Sequence, residues 1–204
     1  GGESPVPVMT AGIRALQARL TRLLVEQGHV TSRVLLPEQD FSAGTLRFQL
    51  VAGRIEAYDA PSLPSRTLAA AFPGKPGAIL HLPALEQGIE NLNRLPGMAT
   101  TLDILPGHAD GTSRVRLEQT PGRPWQLQAN LDARGFEDEA DTLGRLALTL
   151  GNAAGVAERI TMAATSKLDD HRLDASHGTA VDIDLPYGYW QFAISHDAQE
   201  YRDV

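Results

Sequence analysis

Cysteine is absent from all 204 residues, which removes disulfide staples and thiolate metal sites together. No apolar run reaches the roughly 18 residues of a membrane-crossing helix, and Gly1 to Thr10 has neither the basic start nor the apolar stretch of a signal peptide. Aromatic side chains are scarce at 5%, yet 42% of the chain is hydrophobic, which is ordinary for a folded protein and argues against disorder. Basic clusters are missing too. Residues 1–60 hold six basic and six acidic side chains, 61–122 five and five, and 123–204 seven against fourteen, so the whole net charge of −7 lies in the last segment. A nucleic-acid binder concentrates Lys and Arg to neutralise phosphates, so no nucleic-acid partner is expected.

The signatures of chemistry are equally thin. Asp169-Asp170 and Asp182/Asp184 are the obvious carboxylate pairs, but acid/base work needs two carboxylates converging in a desolvated cleft, and these lie in a loop or along one wet strand face. His171 and His177 flank an acidic loop without a recognised ligand spacing, and exposed histidines are the better reading. Ser42-Ala43-Gly44 lacks a nucleophile-elbow context, and Gly107-His108-Ala109-Asp110-Gly111 reads as a hairpin turn because no strand-to-helix transition follows it. No catalytic, cofactor-binding or metal residue is therefore expected, and no enzyme.

What is present is a sequence of elements. Thr10 can cap a helix in which Ile13, Leu16, Leu20, Leu23 and Leu24 recur at helical spacing, and Gly28 can end it. Thr31 to Leu36 and Thr45 to Val51 read as strands, joined by turn formers from Pro37 to Gly44 that favour a hairpin. Arg54 to Tyr58 is a third strand, Ser65 can cap a short helix through Phe72 stopped by Pro73-Gly74, and Pro83 opens a helix whose buried stripe is Leu85, Ile89, Leu92 and Leu95, ended by Pro96-Gly97. Thr100 to Leu105 and Ser113 to Glu118 complete a β-α-α-β-β order, whose final α-β-β part is repeated by residues 11–51 in element order only. Two copies of one module, the first lacking its opening strand and helix, account for this. The expected domains are 1–53, 54–122 and 123–204.

From Trp125 the period changes to two. Trp125, Leu127, Ala129 and Leu131 alternate with Gln126, Gln128, Asn130 and Asp132. The alternation recurs through Leu146, Leu148 and Leu150, through Ile160, Met162 and Ala164, through Val181, Ile183 and Leu185, and through Trp190, Phe192 and Ile194, which gives five strands and no helix. The connections Gly151-Asn152-Ala153-Ala154-Gly155 and Pro186-Tyr187-Gly188 look short, whereas Arg134 to Asp141 and Asp169 to Gly178 are longer and hold Glu137, Asp138, Glu139, Asp141, Asp169, Asp170 and Asp174. Outer-membrane barrels alternate short periplasmic turns with longer outside loops, and Tyr187, Tyr189 and Trp190 would suit an aromatic girdle at the periplasmic side. A soluble all-β or α+β domain of adhesion type, binding ligand on its acidic loops, would alternate as well. The two readings differ in direction: in the first, Leu127, Leu146, Leu148, Ile160, Met162, Phe192 and Ile194 face lipid on one convex surface, and in the second they meet another layer.

The run GHVTSRVLLPEQDFSAGTLRFQLVAGRIE, Gly28 to Glu56, resembles the end of the first polypeptide-transport-associated (POTRA) domain in the outer-membrane transporters of two-partner secretion, the haemolysin and filamentous-adhesin exporters. LEQGIENLNRLPG, Leu85 to Gly97, with GTSRV from Gly111, is similar to the second such domain, and DLPYGYWQFAIS, Asp184 to Ser195, to a turn between early barrel strands; GNAAG departs from the family's more usual turn. The resemblance implies α+β POTRA modules of β-α-α-β-β order in the periplasm, followed by antiparallel strands of an incomplete outer-membrane β-barrel. It implies modules that capture a secreted partner protein and pass it to the pore, without a cofactor. Five strands cannot close where known single-chain barrels use about eight or more, so the chain alone should not transport, and its open sheet edges could self-associate. An open edge can add a strand from an extended client, and the candidate is Ala99, Thr100, Thr101, Leu102, Asp103, Ile104 and Leu105.

Overall fold

The computed structural model describes residues 6–40, 44–120, 122–134, 141–167 and 177–200. The chain divides into two compact units, one made of residues 1–60, 74–86 and 102–117, the other of residues 61–73, 87–101 and 118–204.

In the first unit, α1 (Val6–Glu26) begins ahead of Thr10, so Thr10 lies inside the helix and is not its cap. Pro7 is tolerated there because first-turn N–H groups have no intrahelical partner. The helix ends as expected. Gly28 takes φ +83°, its N–H bonds to the Val25 carbonyl at 2.9 Å, and the His29 N–H reaches back to Leu24 at 2.8 Å, the paired closure that a left-handed residue permits. β1 (Arg33–Leu35) and β2 (Gln49–Val51) pair antiparallel with Val34 opposite Leu50. Both strands are shorter than their β-rich runs. Before β2, the Gln39 amide takes the place of a ladder, accepting from the Arg47 N–H and donating to the Arg47 carbonyl, each at 2.8 Å.

β3 (Arg54–Asp59) runs parallel to β5 (Thr112–Thr120), and β4 (Ala99–Pro106) lies on the other side of β5, giving the order β3-β5-β4. A parallel pair needs a long crossover, and the intervening chain supplies helices α2 (Ser65–Ala71) and α3 (Leu82–Asn93). Ile55, Leu80, Leu85 and Val115 are fully buried in this unit.

In the second unit, α2 has Pro64 as its N-cap with no side-chain cap bond, so Ser65 is the first helical residue rather than the cap. The helix stops at Ala71, because Phe72 is extended (ψ 127°), the conformation imposed on a residue preceding proline. Along α3 and its exit, Leu92 and Leu95 are buried as expected, but Ile89 is only half-buried; the stripe turns toward Gly88 and Asn91. A Cβ at Gly88 would collide with the Phe72 ring, so the missing side chain is what lets that ring lie against the helix.

The rest of this unit is a five-stranded antiparallel sheet in sequential order: β6 (Trp125–Arg134), β7 (Asp141–Gly151), β8 (Arg159–Lys167), β9 (His177–Tyr187) and β10 (Trp190–Glu200). β8 begins only at Arg159, so the connection after β7 is residues 152–158, longer than GNAAG; the expected alternation of short and long connections fails here. The length has a physical reason. The turn closes around the buried Glu158, whose carboxylate accepts the N–H groups of Ala154 and Val156 while its carbonyl accepts the Asn152 N–H at 2.8 Å. Asn152 (φ 56°) and Ala157 (φ 59°) adopt left-handed backbone there, and the Asn152 side chain accepts the Ala157 N–H at 2.9 Å. Glu137, Asp138, Glu139, Asp169, Asp170, His171 and Asp174 lie outside the described residues.

Candidate functional site

Register decides which side chains share a face of the five-stranded sheet, because directly opposed residues project the same way. Leu127 opposes Leu148, which opposes Met162, which opposes Val181; Leu150, Ile160, Ile183 and Ile194 form a second row, and Leu185 opposes Phe192. Leu146 opposes Ala129 and Ala164. All seven residues expected to share an apolar surface, Leu127, Leu146, Leu148, Ile160, Met162, Phe192 and Ile194, therefore do so. No second layer covers them among the described residues: Leu127 is 56% exposed, Leu146 51% and Ile194 70%. Continuous apolar exposure of this kind marks a surface built for an apolar neighbour.

The other face carries Gln128, Asn130, Arg145, Thr161, Asp182 and Asp184, with Ala147 and Ala163 buried between the longer side chains. Asp184 takes two bonds from Arg159, at 2.7 and 3.1 Å. His177 Nε2 lies 3.3 Å from Glu200, and no group of three or more metal-ligating side chains occurs among the described residues. Among those residues, too, no helix is long and apolar enough to cross a membrane. The aromatic side chains of the apolar face gather at one end. Trp125 opens β6, Tyr187 closes β9 opposite Trp190, and Tyr189 sits in the turn between them. Arg123 lies over the Trp125 ring at 5.5 Å.

At that same end, α2 and α3 hold both turns of the sheet. Thr67, fully buried on α2, donates to the Gly155 carbonyl at 2.7 Å. Asn91 on α3, 6% exposed, donates to the carbonyls of Ala71 (2.8 Å) and Gly188 (2.9 Å), and the Gly188 N–H donates to Ala70 at 2.8 Å. Arg94 reaches the Ala157 carbonyl at 3.3 Å; burial lowers its pKa, the charge of Asp184 opposes that shift and Arg159 adds to it. The sequence reading gives the two turns but no individual role to Thr67, Asn91 or Arg94. The available signal was a polar residue, Asn91, on the stripe formed by Gly88, Leu92 and Leu95.

The expected edge strand occupies an edge. Gly107 donates to the Thr112 carbonyl at 3.0 Å across the β4–β5 hairpin, so counting back by twos turns the main-chain groups of Leu105, Asp103 and Thr101 toward β5, and those of Ile104, Leu102 and Thr100 outward. Asn93 already occupies Thr100, accepting its N–H at 2.6 Å and donating to its carbonyl at 3.0 Å. The far end, Ile104 to Pro106, borders an open groove of about 450 Å³ shared with Thr21, Val25 and Thr31. Asp103 and Pro106 are the residue types that keep an exposed edge from pairing indiscriminately.

A carboxylate pins the β4–β5 hairpin. Glu56 accepts from the His108 ring at 2.6 Å, the Thr112 hydroxyl at 2.7 Å and the His108 N–H at 2.7 Å, and these bonds, the His108 side chain first, pull its pKa from 4.5 to about 2. The folded value lies below the unfolded one, so the stabilisation is complete above about 4.5 and drains away as pH falls toward 2. Glu56→Gln is expected to flatten the loss of thermal stability of this chain between those pH values, as read by melting temperature; an unchanged acid slope would show that the carboxylate does not carry it.

Three family models match the chain: POTRA domain, ShlB-type, over residues 6–53; POTRA domain over 53–106; and haemolysin secretion/activation protein ShlB/FhaC/HecB over 111–204. The outer membrane transporter CdiB of Dickeya dadantii is 31% identical over 94% of this chain and 34% of its own length, and the hemolysin transporter protein ShlB of Serratia marcescens 34% identical over 89% and 32%. The chain thus spans about a third of the relatives it matches. The solved structure of CdiB from Escherichia coli superposes with a TM-score of 0.79 at 28% identity, covering 93% of this chain and 39% of that one. These relatives are outer-membrane transporters, and the POTRA modules of the family are periplasmic. From end to end, then, the chain matches the parts of a two-partner secretion transporter in order: two POTRA domains, followed by an unclosed antiparallel sheet similar to the haemolysin secretion/activation (ShlB/FhaC/HecB) proteins.

Proposed function

We propose that this chain is the docking and pore-entry segment of an outer-membrane protein transporter: a partial POTRA module over 1–53, a complete one over 54–122, and barrel strands over 123–204. The modules capture a secreted partner protein through its amino-terminal secretion domain and pass it to the barrel; the segment performs no catalysis and needs the remaining strands to transport. One observation carries this reading above the others: a sheet with one face bearing continuous, uncovered rows of apolar side chains from Leu127 to Val181 and from Leu150 to Ile194, the other face polar, and its aromatic side chains gathered at one end, which fits lipid on one side and a wet lumen on the other. The open edges β6 and β10 await further strands, and in the isolated segment they are the places where a second copy would pair.

Client capture is assigned to the outward groups of Leu102 and Ile104 on β4. Main-chain hydrogen bonds supply affinity there with little demand on sequence. Leu102→Pro or Ile104→Pro, each removing an outward N–H, is expected to weaken binding of the secretion domain to this chain by up to about tenfold, the upper range of one lost hydrogen bond. Asp103→Ala, which leaves that backbone intact, should change it little. Titration calorimetry checks this; proline variants that stay folded and bind like the parent would move recognition off β4.

A further inference from the structure

The contacts between the α2–α3 helices and the two turns of the sheet form a fastening of a particular kind. An asparagine amide has two N–H donors, and those of Asn91 go to carbonyls on two different elements, Ala71 at the end of α2 and Gly188 in the β9–β10 turn. Gly188 is gripped from its other side as well, since its N–H donates to Ala70, and its φ of +60° presents both of its polar groups to the helices. Thr67 repeats the arrangement at the 152–158 turn through the Gly155 carbonyl. All of these groups are buried, so none can exchange its partner for water without opening the contact. Ordinary apolar packing would let the turns slide; directed bonds to main-chain carbonyls do not.

We propose that Asn91 is a positioning residue that, with Thr67, fastens α2 and α3 to the turns 152–158 and 188–189, so that the helices and the turn-proximal ends of β7 to β10 move as one body. The fastening itself rests on geometry alone; its consequence, that a displacement of the helices on client engagement is delivered to the sheet rather than absorbed at a hinge, rests on the transporter reading.

Hydrogen exchange on the full-length transporter in lipid nanodiscs tests the fastening directly. Asn91→Asp sets a carboxylate against two carbonyls, and Asn91→Leu keeps the volume without donors. The peptide carrying Gly188 is expected to exchange at least about tenfold faster in both variants, the effect of losing roughly one buried hydrogen bond's worth of protection. Peptides of β3, β5 and the body of α3 should keep their parental rates. If the Gly188 peptide is unchanged in the folded variants, or accelerates only together with α3, Asn91 merely supports its helix and the proposal fails. Failure here would leave partner binding at β4 untouched, and loss of partner binding would leave the exchange pattern untouched, so the two ideas fall separately.

Discussion

Leu146→Arg in the full-length transporter is expected to destabilise the membrane-inserted barrel by about 2–4 kcal/mol, the cost of a charged side chain near the bilayer midplane on the lipid side of a barrel. Leu146 stands midway along β7, opposes Ala129 and Ala164, and has half of its surface uncovered. Neither alanine can shield a guanidinium, and among the described residues no acidic side chain directly opposes or flanks Leu146 on that face. Gln128→Arg is the matched control. Gln128 opposes Ala147 on the polar face, where charges already sit, so its effect should stay within about 0.5 kcal/mol. Heat-modifiable migration of outer-membrane extracts, followed by urea unfolding in lipid vesicles, separates the two. A Leu146→Arg protein that assembles as well as Gln128→Arg would refute the lipid-facing assignment and revive a layer packed on that face.

Phe72→Ala should cost about 3–5 kcal/mol, because the ring is fully buried and its removal leaves a cavity bounded by helices that cannot simply collapse. The partner substitution is more telling. Gly88→Ala introduces a methyl into space the ring occupies and should cost about 1–3 kcal/mol through overpacking. With Phe72 already truncated that methyl has room, so the double variant should be clearly less destabilised than the sum, with a coupling of about 0.5–3 kcal/mol. Denaturant midpoints of this chain measure the cycle. Simple additivity would mean that the helix and the ring accommodate each other by other movements.

Much of this architecture is written in periodicity. The switch to period two at Trp125 predicts β6 because alternation on a half-wetted sheet is a local property of the chain, and the same holds for the apolar rows that meet only across strands, such as Leu150, Ile160, Ile183 and Ile194. What local pattern cannot carry is competition between side chains for one backbone group. Ser65 is a good cap by composition, yet Pro64 fills that position. The Gln39 side chain replaces part of the β2 ladder, and Glu158 draws the 152–158 turn closed at a length GNAAG does not suggest. Asn91 is the sharpest case: its two acceptors, Ala71 and Gly188, lie 20 and 97 residues away in sequence, and no spacing rule joins them.

Asn93 has an effect on β4 that goes beyond holding a loop. By bonding both the N–H and the carbonyl of Thr100, its amide imitates one residue of a neighbouring strand and terminates the free edge there. Pro106, which has no N–H to offer, terminates it at the other end. Between these two stops lie the outward main-chain groups of Leu102 and Ile104, so under the proposed reading of this edge it would act as a ruler: a visiting strand would engage only a few residues at once, in a register set by the stops rather than by its own sequence. A short grip of that kind releases readily, and a chain threading past it would be held one small segment at a time.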